Sequence, residues 1–149
     1  MPTVFNPTDR AALERRLRLL VPGSTPAWGR FNCEQMLAHV ADALRMALGE
    51  LQADGRRAPA FLSWPPVRHA IIHWLPFPKG APTAPELLAR PAGTHQQEIE
   101  DVVALLERVA ANERVDGWAP HPAFGALSTP TWGALVYKHV DHHLRQFRV

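Results

Sequence analysis

The stretch Ser128-Thr129-Pro130-Thr131-Trp132-Gly133-Ala134-Leu135-Val136-Tyr137-Lys138-His139-Val140-Asp141-His142-His143-Leu144-Arg145-Gln146-Phe147 decides how the chain is read. Ser128 or Thr129 suits a helix cap, because a hydroxyl accepts from the open N–H groups of a first turn. Pro130 fits near the first helical position, where no N–H is needed. From there Trp132, Val136, His139, His143 and Gln146 or Phe147 recur at three- and four-residue spacing, the period of one helix face. That stripe joins tryptophan and valine to two imidazoles, so it is the side expected to be buried.

Working outward, proline placement marks the remaining helices. The chain has 15 prolines, and eight of them lie between Pro59 and Pro91. Proline breaks helix interiors, and four windows are free of it: roughly 8–20, 33–51, 94–113 and 131–147. Asn6 and Pro7 open the first, Leu13, Leu17 and Leu20 repeat along it, and Val21-Pro22-Gly23 ends it. Asn32 with Gln35, and Thr94 with Gln97, have the spacing of capping boxes for the second and third. Met36, Leu37, Val40, Ala43, Leu44, Ala47 and Leu48 form a broad apolar face on the second. Ile99, Val102, Val103, Leu106, Val109 and Ala110 follow the helical period on the third. The alternation a strand needs is absent. The fold class expected is all-α, a four-helix bundle in one domain over residues 1–149. A proline-rich crossover at about 50–92 should hold a short helix near Val67–Leu75, with Val67, Ala70, Ile71 and Trp74 on its buried side.

Composition fits that reading and excludes others. With 149 residues, 46% of them hydrophobic and 20% charged, the chain is one globular domain, and wholesale disorder is excluded. The net charge is +2, and the 14 arginines and two lysines are scattered. Without a basic stripe interleaved with aromatics, no nucleic-acid partner is expected. A single cysteine, Cys33, excludes an internal disulfide and a cysteine-based zinc cage. Near the first position of the second helix it has no evident partner to make it a nucleophile, and a structural role is expected. The first residues lack a secretory pattern. The apolar run Phe61 to Pro78 is broken by Arg68, His69, His73 and four prolines, so it does not span a membrane. The expectation is a soluble, cytoplasmic protein with no membrane partner, and the Ala/Arg-rich composition suggests a bacterial source.

Eight histidines point toward metal or proton chemistry. His139 and His143 are four apart, which places both imidazoles on one helix face about 6 Å apart at Cβ. Two such rings can converge on one ion at about 2.0–2.1 Å each. His39, mid-helix in the second window, is the candidate third ligand. Three neutral ligands would leave the ion its charge and an open position, the pattern of a catalytic site. Asp42 and Gln146, each three residues after a ligand candidate, are candidates to take the second ring N–H. Asp141 is a weaker one. Gln35 is placed to line the open side, and His121 belongs to a loop expected at the pocket mouth. His69 and His73 are also four apart, but they sit in the crossover and should face out or to the flank. His142 should point away from His143, and His95, near a helix start, should be exposed.

Trp28-Gly29, Gln35-Met36-Leu37-Ala38-His39, His121-Pro122-Ala123-Phe124-Gly125, Trp132 and His139-Val140-Asp141-His142-His143-Leu144-Arg145-Gln146-Phe147 together resemble the DinB/YfiT-like superfamily, in a branch described as a domain of unknown function. Phe77-Pro78-Lys79-Gly80-Ala81-Pro82-Thr83-Ala84-Pro85-Glu86 fits that branch. The resemblance covers nearly the whole chain and implies up-down-down-up connectivity. It also implies a divalent metal, zinc or nickel foremost, held by His39, His139 and His143. Relatives include metal-dependent transferases and isomerases that use low-molecular-weight thiols, so such a thiol is an implied cofactor. A homodimer is common in the superfamily. The function expected is a metal-dependent enzyme on a small-molecule substrate, thiol-transferase or hydrolase-like. The alternatives are a non-catalytic metal- or ligand-binding or stress-response module, and an interaction protein displaying Phe61, Trp64, Trp74 and Phe77.

Overall fold

The computed structural model describes residues 1–53, 58–79, 85–88, 90–114 and 117–149. Gly80 to Ala84 of the crossover motif, and Arg56 and Arg57, lie outside the described residues. Five α-helices appear among the described residues, and no strand: α1 Pro7–Leu17, α2 Cys33–Ala47, α3 Pro65–His73, α4 His95–Ala111 and α5 Thr129–Gln146. Short 3-10 turns cover Ala60–Ser63, Pro85–Leu88 and Asn112–Arg114.

The caps explain where the long helices begin. The Asn6 side chain accepts from the backbone N–H of Thr8 and Asp9. Both expected capping boxes form, Asn32 with Gln35 and Thr94 with Gln97. Each satisfies donors that a helix start otherwise leaves open. At the start of α5 one of the two expected cap residues is in place, followed by the proline. Ser128 occupies the cap position but makes no cap bond, and its hydroxyl pairs with that of Thr131 instead.

α2 packs chiefly on α4, while α5 meets α1, α2 and α3. The core between them is apolar: Met36, Leu37, Val40 and Leu44 of α2, Val102, Leu106 and Val109 of α4, Trp132, Val140 and Leu144 of α5. Burial of such side chains is worth about 1.5–3 kcal/mol each. The outer end of the crossover is tied down by charge. Arg90 grips both carboxylate oxygens of buried Glu98 at 2.6 and 2.8 Å and reaches Asp42 at 3.3 Å. Burial works to raise the Glu98 pKa, but Arg90 and the Gly93 N–H hold it below the usual carboxylate range.

The short crossover helix exists, but its register is corrected. α3 starts at Pro65, two residues before the expected Val67, and Ile72 is the residue it buries fully. Trp74, expected on the buried side, is exposed. It sits at the helix end with non-helical φ of −121°, so it leaves the face that periodicity assigns it. There Lys138 donates to the carbonyls of Ile71, Ile72 and Leu75, capping the negative end of α3 from α5.

Candidate metal centre

His39 projects from the middle of α2, and His139 and His143 from the last turns of α5. Their ring nitrogens lie within 4.8 Å of one another. Nε2 of His139 is 3.2 Å from Nε2 of His39 and 3.1 Å from Nε2 of His143. His39 and His143 are buried and His139 is half-buried.

The hydrogen bonds on the far side of two rings fix their tautomers. Nδ1 of His39 faces the carbonyl of Leu87 at 3.4 Å. A carbonyl only accepts, so Nδ1 carries the proton and Nε2 presents a lone pair. On His143, Nδ1 lies 2.8 Å from Oε1 of Gln146. Nε2 of Gln146 donates to the carbonyl of Trp28 at 2.7 Å. That contact sets which way the amide points, hence that His143 Nδ1 is the donor. Both outer imidazoles therefore aim lone pairs at Nε2 of His139, which has at most one proton to offer. Burial, and then the neighbouring imidazoles, hold His139 well below the ordinary histidine range. Burial likewise lowers His39 and takes His143 to about 3. The cluster is neutral, rich in lone pairs and short of protons, which is the chemistry of a cation site. The two Nε2 spacings from His139 match those of imidazoles on a tetrahedral ion, where ligand nitrogens about 2.0–2.1 Å from the metal stand a little over 3 Å apart.

Aromatic rings wall the cluster. Phe31 stacks on His39 at 5.3 Å. His142 lies between Trp28 and Phe77, at 5.7 and 5.8 Å, and meets the edge of His143 at 5.2 Å. Gly29 has a positive φ of 81°, and a Cβ there would stand 2.6 Å from Nε2 of Gln146. Glycine is needed for both conformation and room. Two cavities, about 520 Å³ between Leu20 and Ile99 and about 180 Å³ between Ala47 and Trp118, are not lined by His39, His139 or His143.

The supporting residues divide. Gln146 meets Nδ1 of His143. Asp42 is not a partner of His39: it accepts from Arg45 and Arg90, and the Leu87 carbonyl takes the position expected for it. Gln35 is spent on the α2 cap rather than lining the site. His121 folds into its own turn, its Nδ1 accepting from Ala123 and Phe124. Asp141 pairs with Arg16 and Arg145. His95, expected exposed, is half-buried with Nε2 donating to the Leu20 carbonyl at 3.0 Å. His69 is exposed and its ring lies 4.4 Å from that of His73. Cys33 is buried, and burial with neighbouring Glu34 pushes its thiol up to about 11, so it stays protonated. Sequence reasoning missed Leu87, which acts through its backbone and carries no residue-type signal, and Phe31, whose stacking depends on the fold.

The fold and site define an all-helical protein with a largely buried three-histidine cluster able to hold a metal ion. The chain belongs to the family described as "Protein of unknown function (DUF1569)", which matches residues 5–149. No curated protein and no solved structure matches it.

Proposed function

We propose that this chain is a metal-dependent enzyme of the DinB/YfiT-like kind, a four-helix bundle with up-down-down-up connectivity. It holds one divalent ion, zinc or nickel, on His39, His139 and His143 and acts on a small molecule in a transferase or hydrolase-like reaction. The observation that carries the reading is the convergence of three Nε2 atoms, two with tautomers fixed so that lone pairs face inward. Unmetallated, such an arrangement crowds lone pairs in a poorly solvated place, which is costly. When bound, an ion with an open position supplies Lewis acidity toward a water or a thiol. The chain's own part is orientation. Leu87 and Gln146 hold two rings, and Phe31 covers one side against solvent.

The test is metal content of purified protein, compared with that of His39→Ala/His143→Ala. The wild type should carry close to one ion per chain and the double variant essentially none. Undiminished content in a folded double variant would overturn the assignment.

A second reading, a non-catalytic metal-binding module, is favoured by one observation: His39 and His143 are buried and neither described cavity reaches them. Cobalt-substituted protein separates the two. A visible spectrum that changes on adding azide or a small thiol marks a reachable coordination position and supports an enzyme. A spectrum indifferent to both supports the closed module.

A further inference from the structure

Exposed apolar surface among the described residues is concentrated around one short helix. Among the described residues eight large apolar side chains are exposed, and five of them are Met1, Phe61, Trp64, Trp74 and Leu75. Those five include every exposed aromatic of that set: Phe61, Trp64 and Trp74, at 61%, 62% and 74%. Single exposed apolar residues are ordinary, but two tryptophans and a phenylalanine flanking one helix are not. α3 has nine residues, so it is about 14 Å long. Trp64 stands at its start and Trp74 at its end. The Trp74 ring packs on the edge of His69, His69 lies on His73, and Nδ1 of His73 lies 2.8 Å from the Met1 sulfur.

The charge of this region has one sign. The described stretch 58–79 contains no Asp or Glu, while it carries Arg68 and Lys79, with His69 and His73. Arg68 donates to the carbonyls of Phe124 and Ala126, and Lys138 to those at the end of α3. These acceptors are neutral carbonyls, which do not offset the positive charge as a carboxylate would.

We propose that this face is a membrane-surface contact. α3 and its flanks lie on anionic lipid, with Phe61, Trp64, Trp74 and Leu75 in the interfacial layer and the cations toward the phosphates. Indole rings suit that layer because they are apolar with one N–H donor, and cations near the surface add attraction to anionic headgroups. A second copy fits less well, since an isologous contact would set this cationic face against itself. A protein partner would be expected to find a pocket for an anchor residue, and both described cavities lie elsewhere. The sequence expectation of no membrane partner rested on the lack of a spanning segment. No described helix is long and apolar enough to cross a membrane, but an interfacial contact needs no such helix. The proposal is independent of the metal centre.

The experiment is co-sedimentation of the full chain with phosphatidylcholine vesicles, with and without phosphatidylglycerol, alongside tryptophan fluorescence. Binding is expected only with the anionic lipid, with a blue shift, and should weaken as salt is raised. Trp64→Ser/Trp74→Ser, at exposed positions that leave the core intact, should weaken binding about tenfold or more. His69→Glu should weaken it about fivefold. Three results would each overturn the proposal: no binding to anionic vesicles by folded protein, equal binding to neutral ones, or an unaffected double tryptophan variant. So would a concentration-dependent dimer in sedimentation velocity that the double variant abolishes, because the face would then be covered by a second copy.

Discussion

His121 should make this protein acid-sensitive, and the effect can be isolated from that of the other histidines. It opens a tight turn in which His121 and Gly125 exchange both backbone hydrogen bonds, at 2.9 and 2.8 Å. Its Nδ1 accepts from the N–H groups of Ala123 and Phe124 at 3.0 and 3.2 Å, and its ring stacks on Phe124 and lies against Trp132. Once protonated, Nδ1 has nothing to accept with, and both N–H groups lose their partner. Burial lowers this imidazole to about 4, whereas in the unfolded chain it titrates near 6.5. The unfolded state therefore takes up the proton first. Stability is intact above about 6.5 and falls with pH until about 4, where the folded form is protonated as well. Between pH 7 and pH 4.5 the loss from this one group is about 2 kcal/mol. The perturbation is His121→Asn, whose side-chain oxygen can accept the same local N–H groups and does not titrate. The assay is urea unfolding of chelator-treated protein across that pH range. The titrations of His39 and His143 are common to both proteins and cancel in the difference, while His139 feels His121 only as the last and smallest of its perturbations. The Asn variant should lose about 2 kcal/mol less than wild type over the range. An equal loss in the two would show that His121 is not held neutral by its turn.

Other outcomes follow from the same structure. Gln146→Leu removes the acceptor for His143 Nδ1 and the donor to Trp28; competition with a chromophoric chelator should show metal affinity about 10- to 100-fold weaker, and an unchanged affinity would deny Gln146 its orienting part. Gly29→Ala forces a side chain into positive φ and against Gln146, which should cost about 1–3 kcal/mol in urea unfolding. Arg90→Ala leaves the buried Glu98 carboxylate with the Gly93 N–H alone; the expected loss is about 2–4 kcal/mol at neutral pH. That loss should shrink in acid as the wild type itself loses the advantage of a Glu98 pKa held low. Chelation at pH 8 should lower the Tm of metal-loaded wild type but not of His143→Ala.

What the sequence displayed was whatever is encoded locally. Both capping boxes, the proline at the start of α1 and the apolar stripes of α2 and α4 are short-range patterns, and each stands in the structure. α3 shows the limit. Its nine residues carry too little periodicity to fix a register, and its end is set by Lys138, which lies more than sixty residues away. His95 was misplaced for a related reason: a helix start is usually exposed, but here the Leu20 carbonyl comes over it. Asp42 had helical spacing to His39, yet two arginines compete for it, and Arg90 arrives from the crossover.

The candidate centre divides along the same line. His139 and His143 were paired by spacing alone, because i,i+4 places them together in any helix. Bringing His39 to them takes a whole-chain arrangement of α2 on α5. Holding the rings takes two loops. On one side the carbonyl of Trp28 orients Gln146, and Gln146 orients His143, with Gly29 leaving the space that this requires. On the other side the carbonyl of Leu87 orients His39, and three residues on, Arg90 fastens that end of the crossover to Asp42 and Glu98. Both fixed tautomers therefore rest on backbone carbonyls, which any residue type supplies. This is why Trp28-Gly29 stands out as a motif, where glycine is required, while Leu87 does not, although the two carbonyls do equivalent work. Substitutions in either loop should disturb the centre by turning a ring rather than by removing a ligand.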